Sequence, residues 1–181
     1  MKVKYSDLKN KRVFITGGGS GIGASIVEHF CEQGSEVYFV DINIKETNKL
    51  LKIIKKKRFR KPNFIECNLL DINKLEKIIK KIISTKGPIH ALVNSAANDD
   101  RHTTDQVDEK YWENRMAINL KHYFFAAKAV VKAMKKIKSG SIVNLSSVSW
   151  MLGEGDKVVY ETAKSAVVGL TRSFAQEYGK Y

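Results

Sequence analysis

Five glycines crowd the seven positions from Gly17 to Gly23, in the run TGGGSGIG that starts at Thr16. The run follows a short apolar stretch, 11–16 (KRVFIT), and opens a segment of helical spacing, 21–33, with Gly34 as its stop. A strand that turns at once into a helix needs unusual backbone freedom at the corner, which glycine supplies. Beyond that corner lie free N–H groups and the positive end of a helix dipole, a setting that suits a pyrophosphate. The spacing Gly17-x-x-x-Gly21-x-Gly23, with Ser20 and Ile22 inside it, is one residue off the common dinucleotide fingerprint. Any tight strand-to-helix corner favours glycine, but a position between strand and helix points to a nucleotide cradle.

The rest of the chain continues the alternation. Residues 36–40 (EVYFV) read as a second strand ending on Asp41, 44–57 as a basic helix, and 63–67 (NFIEC) as a third strand. Asp71 caps a helix in which Ile72, Leu75, Ile78, Ile79, Ile82 and Ile83 recur at helical spacing. A fourth strand is expected at 89–94 (IHALVN), then a polar loop, a long helix over 107–137, a fifth strand at 141–145 (SIVNL) and a final helix over 158–178. Strands separated by helices require right-handed crossovers, and so a parallel sheet covered on both faces. The expectation is an α/β fold of a single domain, 1–181, with a doubly wound, Rossmann-like sheet in the order 3-2-1-4-5.

The net charge of +13 comes from lysine. In the isoleucine-rich helix the lysines fall opposite the apolar stripe, so a solvated face accounts for them. A nucleic-acid surface would need an aromatic-and-basic stripe or a reader motif, and none is visible. Membrane insertion is not expected either, because no run approaches the ~20 apolar residues a spanning helix needs. The charged start MKVKYSDLKNKR lacks the apolar segment of a signal peptide. Cys31 and Cys67, in helix and strand contexts, read as buried thiols in a reducing cytoplasm. His29, His90 and His122 have no metal-ligand spacing, so structural roles and no metal are expected.

Three positions carry particular chemical meaning. Asp41, at the end of the second strand, sits where a carboxylate accepts hydrogen bonds from both ribose hydroxyls and repels a 2′-phosphate, which favours NAD. Its competing role is to cap the helix that begins near Asn43. Tyr160 and Lys164, four apart in VVYETAKSAVVGL, share a helix face. A phenol is a poor base at neutral pH, and a neighbouring cation stabilises its ionised form.

Taken together, TGGGSGIG, the NSAA at 94–97, Asn119, Ser147, Tyr160 and Lys164 resemble the short-chain dehydrogenase/reductase family, over essentially the whole chain. NDDRH at 98–102, Ser149–Trp150 and YETAK at 160–164 are similar to bacterial NAD-dependent D-xylose (aldose) 1-dehydrogenases within it. The resemblance implies that Ser147 holds the substrate oxygen and Asn119 braces a water leading to Lys164. It further implies that Asn68, Leu69 and Asn94 contact the cofactor, and that Lys164 reaches the nicotinamide ribose. The family has Asp where this chain has Asn68, whose side-chain oxygen keeps the acceptor. It has Asn-Asn-Ala-Gly where this chain has Asn94-Ser95-Ala96-Ala97.

The expected reaction is hydride transfer from C1 of an aldose to NAD, giving a lactone, with Tyr160 as base. Asn98, Asp99, Arg101 and His102 after strand four, with Trp150 and Glu154 after strand five, are the candidates to face the sugar. An ordinary solvated loop with capping aspartates is the other reading of that stretch. The apolar excess on the 107–137 helix, an interface helix in the family, implies a homo-oligomer. The family continues with a sixth strand, a Pro-Gly turn, a substrate-covering segment and a seventh strand; here the only prolines are Pro62 and Pro88. A truncated nucleotide-binding protein without turnover is therefore an alternative, as is a reductase acting on another carbonyl, such as a 3-oxoacyl group.

Overall fold

In the computed structural model, which describes residues 3–181, five parallel strands form one sheet in the order β3-β2-β1-β4-β5. The strands are β1 (Arg12–Thr16), β2 (Glu36–Asp41), β3 (Asn63–Glu66), β4 (Ala91–Asn94) and β5 (Ser141–Asn144). Between them run α1 (Gly21–Glu32), α2 (Ile44–Lys56), α3 (Ile72–Lys86), α4 (Glu109–Met116) and α5 (His122–Ile137); α6 (Ser149–Leu152) and α7 (Val158–Tyr178) follow β5.

Alternation along the strands sorts the core into two layers. Val13, Ile15, Val37, Phe39 and Val93 point to one face and pack with Val27, Cys31, Leu50 and Ile54 of α1 and α2. Phe14, Tyr38, Val40 and Leu92 point to the other and meet Leu75, Ile79, Ile82, Ala126, Val130 and Met134 of α3 and α5, with Phe174 of α7 at the margin. Cys31 and Cys67 are free thiols buried in these layers. Among the described residues no helix is long and apolar enough to cross a membrane.

Helix starts are set by side-chain caps: Asn43, Asp71 and Asp108 accept from the backbone N–H of Glu46, Lys74 and Tyr111. Each such cap stabilises its helix by roughly 1 kcal/mol. The helix expected over 107–137 is built differently. It begins at Glu109 and is interrupted by a π-helical turn, Ala117–Lys121, that separates α4 from α5. A π turn holds one residue more than the α periodicity allows, and such turns concentrate at functional sites. Asn119, fully buried, lies in its middle.

Candidate active site

Parallel strands place their carboxyl ends on one edge of the sheet, and the loops leaving those ends build the site. At the end of β1 the backbone turns through Gly17, at φ 68°, whose N–H donates to the Val40 carbonyl at 2.8 Å. A side chain at Gly17 would meet the Ala96 backbone at 2.6 Å, and one at Gly23 would collide with the Gly17 carbonyl. Ser20 takes an extended conformation at the N-terminus of α1 without using its hydroxyl as a cap. Gly21 and Ile22 open the helix toward solvent, Ile22 at 68% exposure.

Asp41, nearly buried, braces this cradle from the end of β2. Its Oδ2 accepts from the Gly19 N–H and its Oδ1 from the Asn43 N–H, both at 2.8 Å. The side-chain cap of α2 is Asn43 and not Asp41. Each Asp41 oxygen keeps a second lone pair for a ligand hydroxyl. The glycine cradle and this acceptor fit the pyrophosphate and adenosine ribose of a dinucleotide. After β3, exposed Asn68 accepts the Leu70 N–H through Oδ1 at 3.0 Å, and Leu69 is buried. Asn94 is fully buried at the end of β4. Its Nδ2 donates to Asn144 Oδ1 at 2.8 Å, which ties β4 to β5.

The loop after β4 folds back onto the π turn. Asn119 Oδ1 accepts from the Asn98 N–H at 2.8 Å, and its Nδ2 donates to the Asn98 carbonyl at 2.9 Å. Asp100 pairs with Arg115 of α4 at 3.0 Å. Asp99 and Arg101 are exposed. His102 is instead buried: its Nε2 accepts from the Val159 N–H at 3.3 Å, and its Nδ1 lies 2.8 Å from the Tyr111 hydroxyl and 3.0 Å from the Asp100 carbonyl. Its Nε2 therefore joins the loop to the start of α7, and its Nδ1 joins it to Tyr111 of α4.

On the β5 side, Ser147 Oγ lies 2.8 Å from Ser149 Oγ and accepts from the Ser149 N–H at 3.2 Å. Trp150 is half-buried in α6, and exposed Glu154 forms an ion pair with Lys157. From α7, the Lys164 ammonium sits 5.6 Å from the centre of the Tyr160 ring. It is 1% exposed and donates to the Leu145 carbonyl at 2.8 Å and to the Tyr123 hydroxyl at 2.7 Å. Burial draws its pKa down from 10.5 to about 8, against the opposing pull of the Asp99 carboxylate. Burial and the positive Lys164 likewise hold His122 at about 3, and burial pushes Tyr123 upward.

Pattern reading did not single out three of these contributors. Thr16 Oγ1 accepts from the Ser95 and Ala96 N–H groups and so fastens the Ala96 turn against the glycine corner. Asn144 donates to Thr171 of α7 at 2.9 Å. Tyr123 holds Lys164. None belongs to a spaced motif; a polar residue at the end of a strand expected to be buried was the available signal for Thr16 and Asn144.

Comparison with known proteins agrees with this fold. The family model described as short chain dehydrogenase matches residues 11–181. The D-xylose 1-dehydrogenase of Caulobacter vibrioides is 41% identical over 175 residues, covering 97% of this chain and 68% of that protein. A Rhizobium meliloti protein described as "Probable galactose dehydrogenase" is 37% identical over 176 residues, covering 97% and 69%. The ligand-free aldohexose dehydrogenase of Thermoplasma acidophilum superposes with a TM-score of 0.84 at 31% identity, covering 96% of this chain and 64% of that one.

Proposed function

This chain belongs to the short-chain dehydrogenase family, and on that basis we propose that it oxidises an aldose at C1 with NAD. The observation that carries the reading is the buried Lys164 ammonium beside the Tyr160 ring, at the carboxyl end of β5. Its positive charge stabilises a phenolate, which makes Tyr160 the base that takes the proton from the anomeric hydroxyl. Ser147 orients that oxygen through its own hydroxyl. Asn119 keeps one N–H and one lone pair free of Asn98 for a water on the way to Lys164. The dinucleotide, when bound, supplies the acceptor for the hydride that C1 gives up, and the sugar leaves as a lactone.

The glycine cradle from Gly17 to Gly23 would hold the pyrophosphate, and Asp41 the adenosine ribose. The fixed Asp41 carboxylate would meet a 2′-phosphate with like charge, which supports NAD over NADP. An aldose is supported by the similarity to sugar dehydrogenases and by the polar residues Asn98, Asp99 and Arg101 after β4 together with the aromatic Trp150 after β5. His102 is assigned to positioning this loop.

The test is reduced-nicotinamide absorbance with a panel of aldoses, compared between the chain and Tyr160→Phe. The variant should lose turnover by roughly 10²–10⁴-fold while retaining dinucleotide binding. A second reading is dinucleotide binding without turnover. Binding without absorbance change on any sugar would select it, and activity only on a 3-oxoacyl substrate would replace the aldose.

A further inference from the structure

Lys164 donates to two oxygens, and one of them belongs to a side chain outside the expected constellation. Tyr123, in the first turn of α5, is fully buried, with its hydroxyl in the gap between the loops that leave β4 and β5. The phenol oxygen lies 3.2 Å from the Ala96 carbonyl, 3.1 Å from the Leu145 carbonyl and 2.7 Å from Lys164 Nζ. A phenol has one proton to give and lone pairs to receive. Its proton goes to the carbonyls, so it meets the ammonium as an acceptor. Lys164 Nζ, Tyr123 Oη and the Leu145 carbonyl thus form a closed triangle, and the ammonium also lies 4.9 Å from the centre of the Tyr123 ring.

We propose that Tyr123 is a positioning residue for the Tyr160–Lys164 pair: its hydroxyl fixes the buried ammonium at the end of β5 and supplies an oxygen for its charge. The proposal rests on the reading of that pair as the reacting groups. Without the hydroxyl, a charge 1% exposed would keep one carbonyl partner within the triangle. The groups facing it are Asp99 in the loop after β4, Tyr160 on α7, and His122 with Tyr123 on α5. His122 is neutral across the working pH range and adds no competing charge. The π turn makes this contact available, because it sets the phase at which α5 presents its first residues.

The experiment is an NMR titration of the Lys164 ε-methylene in the full chain, assigned with Lys164→Arg. In Tyr123→Phe the ring remains and only the oxygen is lost. The charged form of Lys164 then loses an acceptor, so its titration midpoint should fall by at least ~0.5 unit, and Tyr123→Gln, which restores an oxygen, should bring it back part of the way. An unmoved midpoint in Tyr123→Phe would overturn the proposal and leave Tyr123 a filler of the core. Should that variant not fold, the wild-type chain supplies the second measurement: a nuclear Overhauser effect between the Tyr123 ring and the Lys164 ε-methylene, whose absence would also overturn it. Lack of turnover in the wild type bears on the proposed reaction and leaves this titration readable.

Discussion

His122 occupies the same buried layer as Lys164, where two positive charges would repel with little water to screen them. Its pKa is held at about 3, below the ordinary 6.5, mainly by burial. An unfolded chain therefore takes up this proton before the folded one does. Stability from His122 is fully present above about pH 6.5 and is lost as pH falls through the window down to about 3. At pH 5 the loss is on the order of 2 kcal/mol. Urea unfolding midpoints should drop between pH 7 and 5 in the wild type, and less steeply in His122→Gln; parallel slopes would show that other groups dominate.

At the scale of elements, the loop after β4 is clasped to the first turn of α7. His102 contributes Nε2, which accepts from the Val159 N–H, and its backbone N–H donates to the carbonyl of Asp156 at 2.7 Å. Asp156 sits at φ 53°, beside Gly155 at 72° and close to Gly153 at 64°, so this stretch is left-handed backbone that needs outside support. His102→Ala should destabilise the chain by about 1–3 kcal/mol. Hydrogen exchange should speed up in peptides spanning 153–160 and stay unchanged in α2; uniform change would mean that the clasp is not local. Strand order, the N-cap at Asp71 and the extent of α7 were legible because apolar runs alternate with segments of helical spacing, the pattern of a doubly wound sheet. The π turn was not: Asn119 and Tyr123 are four apart and read as one stacked pair on a plain helix. The clasp was also hidden, since a histidine between Arg101 and Thr103 reads as an ordinary polar-loop residue until the fold brings Val159 beside it.

Across the whole molecule, one apolar surface stays open beside a strongly basic one. Phe124, 41% exposed, stacks edge-on with Phe174 at 5.8 Å, and Phe174 lies 5.5 Å from Tyr178, forming an aromatic row on α5 and α7. Lys128 and Lys135 flank the row, over Phe125 and Tyr178. We expect copies of the chain to pair through this face, more tightly as salt screens the lysines. Light scattering should give at least a dimer for the wild type and a smaller mass for Phe124→Ser; a wild-type monomer at high salt would contradict this. The widened turn at 117–121 also governs how the gene can change. Because that turn already holds one residue beyond the α period, losing a single codon there would let it close as plain α-helix with both flanking faces kept in register. A one-residue deletion within α4 or α5 proper would instead turn the downstream face by about 100°, so natural length variants of this stretch should fall within 117–121.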